Sequence, residues 1–175
     1  MARIDPIPLE AMTPEQKRIN DEIAGSRGGG TAKGPFALWL RTPELADLAN
    51  AFGSHLRHQT SVPQRLVELA VLVVARTYTA QYEWYAHAKY VEQVGLDPAV
   101  AEAIRTRTDP VIEKEDEKIV YDVATELSVD RRLSDATYAR AVETLGEQTV
   151  LDLVTIIGFY TMVAVVLVSI DVDIP

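Results

Sequence analysis

Apolar residues recur along this chain at helical spacing, and its two longest runs are apolar on almost every side. Pro63 opens the first. Leu66, Val67, Leu69, Ala70, Val71, Leu72, Val73 and Val74 cover nearly the whole circumference of a helix running to about Tyr78, the pattern of an element buried on most sides. The valines of Leu69 to Val74 also suit a strand, but the proline start and the length favour helix. The second run, Leu153 to Ile170, carries no charge and reaches membrane-spanning length. Thr155, Gly158, Tyr160, Thr161 and Ser169 interrupt it, and Asp152 and Asp171 flank it with no Lys or Arg anchor. A buried or subunit-interface helix over Glu147 to Ile170 is the better account, and no membrane association is expected.

The polar positions mark where the other elements begin and end. Ile4 to Met12 is punctuated by proline and reads as extended. Thr13-Pro14-Glu15-Gln16 combines an N-cap, a proline at the first helical position and a capping box, which predicts a helix ending near Gly25. Thr42-Pro43-Glu44 repeats the signal for a helix over Pro43 to Arg57. Further helices are predicted from Gln81 or Tyr82 to Val94, stopped by Gly95, from Asp97-Pro98 to about Arg105, from Glu113 to Leu127 and from Ser134 to Leu145. No strand of alternating pattern and no solenoid repeat is found. The prediction is one all-α domain over residues 1–175, of about seven or eight helices. Residues 1–33 form an extension with one helix and a Gly28-Gly29-Gly30 linker; no Gly-Lys-Ser/Thr follows, so a phosphate loop is not expected.

Composition narrows the chemistry. The net charge of −9 and pI near 4.8 argue against nucleic acid as a partner. The 175 residues contain no cysteine, which removes disulfides, thiolate nucleophiles and cysteine metal sites. The opening residues hold no basic-then-apolar run, so no secretory signal is expected, and the expectation is a cytoplasmic protein. Catalysis would have to use carboxylate, imidazole or phenol.

Three side chains stand out. Glu68 interrupts the apolar helix. It is either a partly exposed acid near the helix start, or a buried one that needs an ion pair or a raised pKa. Glu83 and His87 lie four apart and share a helix face, as a surface ion pair or as an acid/base couple. Tyr82 and Trp84 flank Glu83, so one of them could line a pocket. His55 and His58 are one turn apart, but no Glu-x-x-His or His-Glu-x-x-His pattern occurs, and no metal is expected. No Gly-x-Ser-x-Gly elbow occurs either.

The run RLVELAVLVVARTYTAQYEWYAHAKYVEQVGL, Arg65 to Leu96, resembles the carboxymuconolactone decarboxylase family, within the alkylhydroperoxidase D-like superfamily. Gly34-Pro35-Phe36 with Arg41-Thr42-Pro43-Glu44-Leu45 resembles the family's amino-terminal segment. Gly158-Phe159-Tyr160-Thr161 with residues Asp171 to Pro175 resembles its last helix and tail. The peroxidase branch uses a Glu, two cysteines and a His; here Glu68 and His87 match, while Ala80 and Glu83 occupy the cysteine positions. That departure excludes disulfide-cycling peroxidase chemistry, and Tyr82 to His87 instead looks like the decarboxylase-type branch. The resemblance implies a homo-oligomer, commonly a trimer or hexamer, and a small-molecule substrate. It implies a carboxy-lyase without cofactor, acting on a small carboxylated lactone or related ring compound in aromatic catabolism. His87, Glu68 and Glu83 would be catalytic: His87 as proton donor or oxyanion partner, Glu68 paired with it from the neighbouring helix, and Glu83 orienting it or destabilising the leaving carboxylate. Tyr82, Trp84 and one of Arg57, Arg65 or Arg76 would bind substrate. The alternative is a non-catalytic oligomeric member that binds a small molecule or a partner.

Overall fold

A computed structural model describes residues 2–26 and 29–174, so Gly28 of the predicted linker lies outside the described residues. After a short 3-10 turn at Leu9–Ala11, nine α-helices follow among the described residues, with no strand. They are α1 (Pro14–Ser26), α2 (Pro35–Trp39), α3 (Pro43–His58), α4 (Gln64–Thr77), α5 (Gln81–Ala88), α6 (Pro98–Thr106), α7 (Glu115–Val129), α8 (Asp135–Leu145) and α9 (Glu147–Ile170).

Helix α4 is the axis of the fold. Every residue from Leu66 to Ala75 is buried, and it packs chiefly against α7, α9 and α5. An element buried all round cannot be a strand of a two-faced sheet here, because its valines meet helices on each side. Helix α9 covers the same residues as predicted. It is long and apolar enough to cross a membrane by length and composition, and it sets Leu153, Ile156, Phe159, Tyr160, Val163 and Leu167 into the core beside α4.

The amino-terminal third builds a smaller core of its own. Ile19 and Ile23 of α1, Phe36, Leu40, and Ala46 and Ala49 of α3 pack together. The start of α1 closes as a capping box: Thr13 N–H donates to Gln16 Oε1 at 2.9 Å, and Gln16 N–H donates to Thr13 Oγ1 at 3.2 Å. Ser134 caps α8 in the same way through Thr137 N–H.

Two elements differ from the sequence expectation. Pro35–Trp39 is a short helix that sets Phe36 and Leu38 inward, too short to show a period. Helix α5 ends at Ala88 rather than Val94. Beyond it the main chain tightens into turns, with Tyr90 N–H bonded to His87 O and Gly95 N–H to Glu92 O, the i→i+3 pattern of a helix end.

Candidate functional site

Glu68 sits in the middle of the buried α4 and is 1% exposed. A carboxylate there is costly unless both oxygens find partners, and both do. Oε2 lies 2.7 Å from His87 Nδ1 on α5, and Oε1 accepts from Arg57 Nη2 on α3 at 3.1 Å. Three helices thus converge on one acid. A carboxylate only accepts, so in this pairing Nδ1 carries the ring proton. Chemistry on the imidazole's other edge then falls to Nε2. The ring is held further by an edge-to-face contact with Tyr160 at 5.1 Å. Arg57 lies 5.1 Å from the centre of the Tyr90 ring.

His87 and Arg57 open onto a cavity of about 500 Å³, within the usual range for a small-molecule site. Phe36, Phe159, Tyr160 and Val163 form apolar wall, and Tyr82, Glu83 and Tyr90 face the same space. Lys33, His58 and Lys89 line it as well and are exposed. Glu83 is 2% exposed, and among the described residues neither of its carboxyl oxygens has a hydrogen-bond partner. Burial pushes its pKa well above the usual carboxylate value. Burial without a partner thus favours its neutral form, beside an oriented imidazole. Burial also raises the Tyr82 phenol.

The structure brings Glu68, Glu83, His87, Tyr82 and Arg57 to one place. The partner of Nδ1 is Glu68, from the neighbouring helix as expected; of the two roles considered for Glu83, orienting His87 is not seen, and among the described residues Glu83 has no hydrogen-bond partner. The partly exposed alternative for Glu68 is excluded by its burial. Trp84 is turned away from the cavity and lines a smaller recess of about 230 Å³ with Arg76 and Arg105. Arg65 pairs with Asp116 and Glu117 of α7. Neither Arg65 nor Arg76 reaches the main cavity, so Arg57 is the arginine of the three that does.

Lys33, Tyr90, Phe159 and Tyr160 were not singled out by sequence. A lysine beside a glycine-rich stretch and aromatics on an apolar helix carry no signal of their own. Among the described residues no cluster of three or more His, Asp or Glu could hold a metal ion.

No family profile matches the chain, and no curated protein matches its sequence. Solved structures do match. An uncharacterised peroxidase-related protein from Silicibacter sp. TM1040 superposes with a TM-score of 0.79 at 17% identity, over 98% of this chain and 91% of its own. A cysteine-to-alanine variant of the debrominase Bmp8, in complex with 2,3,4-tribromopyrrole, gives 0.79 at 12% identity, over 100% and 94%. The same debrominase without ligand gives 0.77 at 12%, over 97% and 90%. The fold is the alkylhydroperoxidase D-like helical fold.

Proposed function

We propose that this protein is an acid/base enzyme of the carboxymuconolactone decarboxylase type, acting on a small carboxylated lactone or a related ring compound. One observation carries the reading: a buried Glu68 holds His87 and Arg57, next to a cavity that also contains the unpaired acid Glu83. The volume suits a small ring, and the debrominase of the same fold has been solved with a small ring bound. Thiol chemistry is closed to this chain, which has no cysteine.

In a γ-carboxylated unsaturated lactone, the bond to the carboxylate breaks and CO2 leaves. The electron pair moves through the ring to the lactone carbonyl oxygen, so the ring is its own electron sink. Two tasks remain for the protein. The neutral Glu83 carboxyl donates a hydrogen bond to the oxygen where charge gathers. His87, its Nδ1–H held by Glu68, takes a solvent proton at Nε2 and delivers it to carbon. Arg57 keeps Glu68 aligned through its hydrogen bond to Oε1. In this reading the protein works as a homo-oligomer.

The test is incubation with γ-carboxymuconolactone, following lactone loss and CO2 release. Turnover is expected, and His87→Ala should lower it by about two to four orders of magnitude, the usual share of a general acid/base group. Turnover unchanged in His87→Ala would remove the imidazole from the mechanism. Binding of ring compounds without any turnover would leave a small-molecule-binding protein.

A further inference from the structure

We propose that Lys33 and Lys89 make the cavity selective for anions, and that they are the residues that receive the carboxylate of its ligand. The proposal deepens the reading above and rests on it for the identity of the site.

Charge carries the argument. The chain has 26 acidic residues against 17 Lys and Arg, yet the cavity reverses that sign. Lys33, Arg57 and Lys89 line it, and Glu83, the one acid among the described lining residues, is pushed toward its neutral form by burial. Arg57 gives its charge to Glu68. Neither lysine has a carboxylate within ion-pair distance among the described residues, whereas Lys114 and Lys118 each pair with a glutamate of their own helix. Lys89 Nζ lies 5.0 Å from the centre of the Tyr90 ring, which Arg57 also approaches. The exposed side of the cavity is thus cationic, its wall is aromatic and aliphatic, and the acid/base pair is buried. That division suits a ring whose carboxylate stays at the open side.

Lys33 is also placed there by its neighbours. Ala32 N–H donates to Asn20 Oδ1 at 2.9 Å, and Asn20 is 1% exposed. Gly34 adopts φ +58°, and a Cβ at that position would stand 2.6 Å from Tyr82 Cε1. Only glycine fits both the conformation and the ring. The residues on either side of Lys33 are therefore fixed, one by a buried side chain and one by a ring that itself lines the cavity.

Calorimetric titration with benzoate and with benzamide, which share a shape and differ in charge, tests this. Benzoate should bind at least about tenfold more tightly, the size of one charge-assisted contact. Lys33→Met and Lys89→Met should each weaken benzoate about tenfold and leave benzamide unchanged; Lys89→Arg should restore it. With γ-carboxymuconolactone, the methionine variants should raise KM and hold kcat. Equal affinity for the two probes, an equal loss of both in the variants, or no benzoate binding at millimolar concentration would overturn the proposal. Anion-selective binding without lactone turnover would sink the decarboxylase reading and leave this one standing. Turnover with charge-indifferent binding would do the reverse.

Discussion

Glu83 is the residue at which stability and chemistry oppose each other. Its carboxyl is buried, without a partner, and its folded pKa lies well above the ordinary 4.5. Between 4.5 and the raised value, the folded protein keeps a proton that the unfolded chain has released. Stability therefore falls as pH rises through this window and is recovered below it. Glutamine keeps the shape and an N–H donor but cannot ionise. Glu83→Gln should melt at a higher temperature than the parent at neutral pH, and the gap should close as pH approaches 4.5. A gap that does not change with pH would mean that Glu83 does not titrate in this range. The same variant should retain more lactone turnover than Glu83→Ala, because the amide still donates to the developing oxyanion. At this scale the sequence was informative about anomalies and silent about partners. An acid in Leu66-Val67-Glu68-Leu69 is conspicuous because burying it is costly, so Glu68 could be picked out. Which acid holds His87 depends on how α4 meets α5; local spacing alone offered Glu83, and the expectation that Glu68 pairs with His87 came with the family resemblance. The three arginines could not be ranked for a similar reason: Arg65 finds its partners 51 and 52 residues away on α7.

At the scale of elements, the contact between α3 and α9 shapes the cavity. Gly53 is buried in α3, and a Cβ there would stand 2.7 Å from the Cζ of Phe159. Alanine in a helix interior gains up to about 1 kcal/mol over glycine, while overpacking a tight contact costs about 1–3 kcal/mol. Here the cost wins, because the ring has little room to give way. Phe159 is packed edge-to-face against both Phe52 and Tyr160, with centroids 5.6 and 5.4 Å away. Gly53→Ala should lower stability by about 1 kcal/mol or more by denaturant titration. It should also weaken benzoate, since Phe159 lines the cavity. A variant as stable as the parent with unchanged affinity would show that the two helices slide apart freely. The helices themselves were largely legible. Thr13, Pro14 and Gln16 announce α1, Ser134 announces α8, and the charge-free run after Glu147 gives α9 its length. The break after Ala88 was not, since neither proline nor glycine occurs before Gly95 and the change is only in which carbonyl each N–H reaches. Nor was α2, whose five residues fold where Phe36, and Leu40 just beyond the helix, have a small core to enter.

The molecule as a whole leaves apolar side chains of two helices exposed. Leu45, Leu48 and Phe52 lie exposed at helical spacing along α3, and Leu151, Met162, Val165 and Val168 are exposed on α9. The Phe52–Phe159 contact joins the two helices at this face. Leu153 to Ile170 contains no charged residue, so this side of α9 lacks the charged side chains that solvate an ordinary surface helix. The remainder of the chain is strongly acidic. The homo-oligomer proposed above would cover this face, since a second copy would bring an equally uncharged surface in fixed proportion and could meet it by symmetry. Light scattering after size exclusion should therefore give a multiple of the 19.3 kDa chain mass, and raised salt should not dissociate it, since apolar burial rather than charge holds it. Leu48→Glu combined with Met162→Glu should shift the population to monomer. Phe159, Tyr160 and Val163 of α9 also line the cavity, so releasing the outer face of that helix should loosen the inner wall. The dissociated variant is expected to bind benzoate more weakly than the assembled protein, although neither substituted side chain lines the site. A wild-type chain that runs as a monomer at micromolar concentration would remove the argument for assembly. A monomeric variant with full affinity would show instead that assembly and the site are independent.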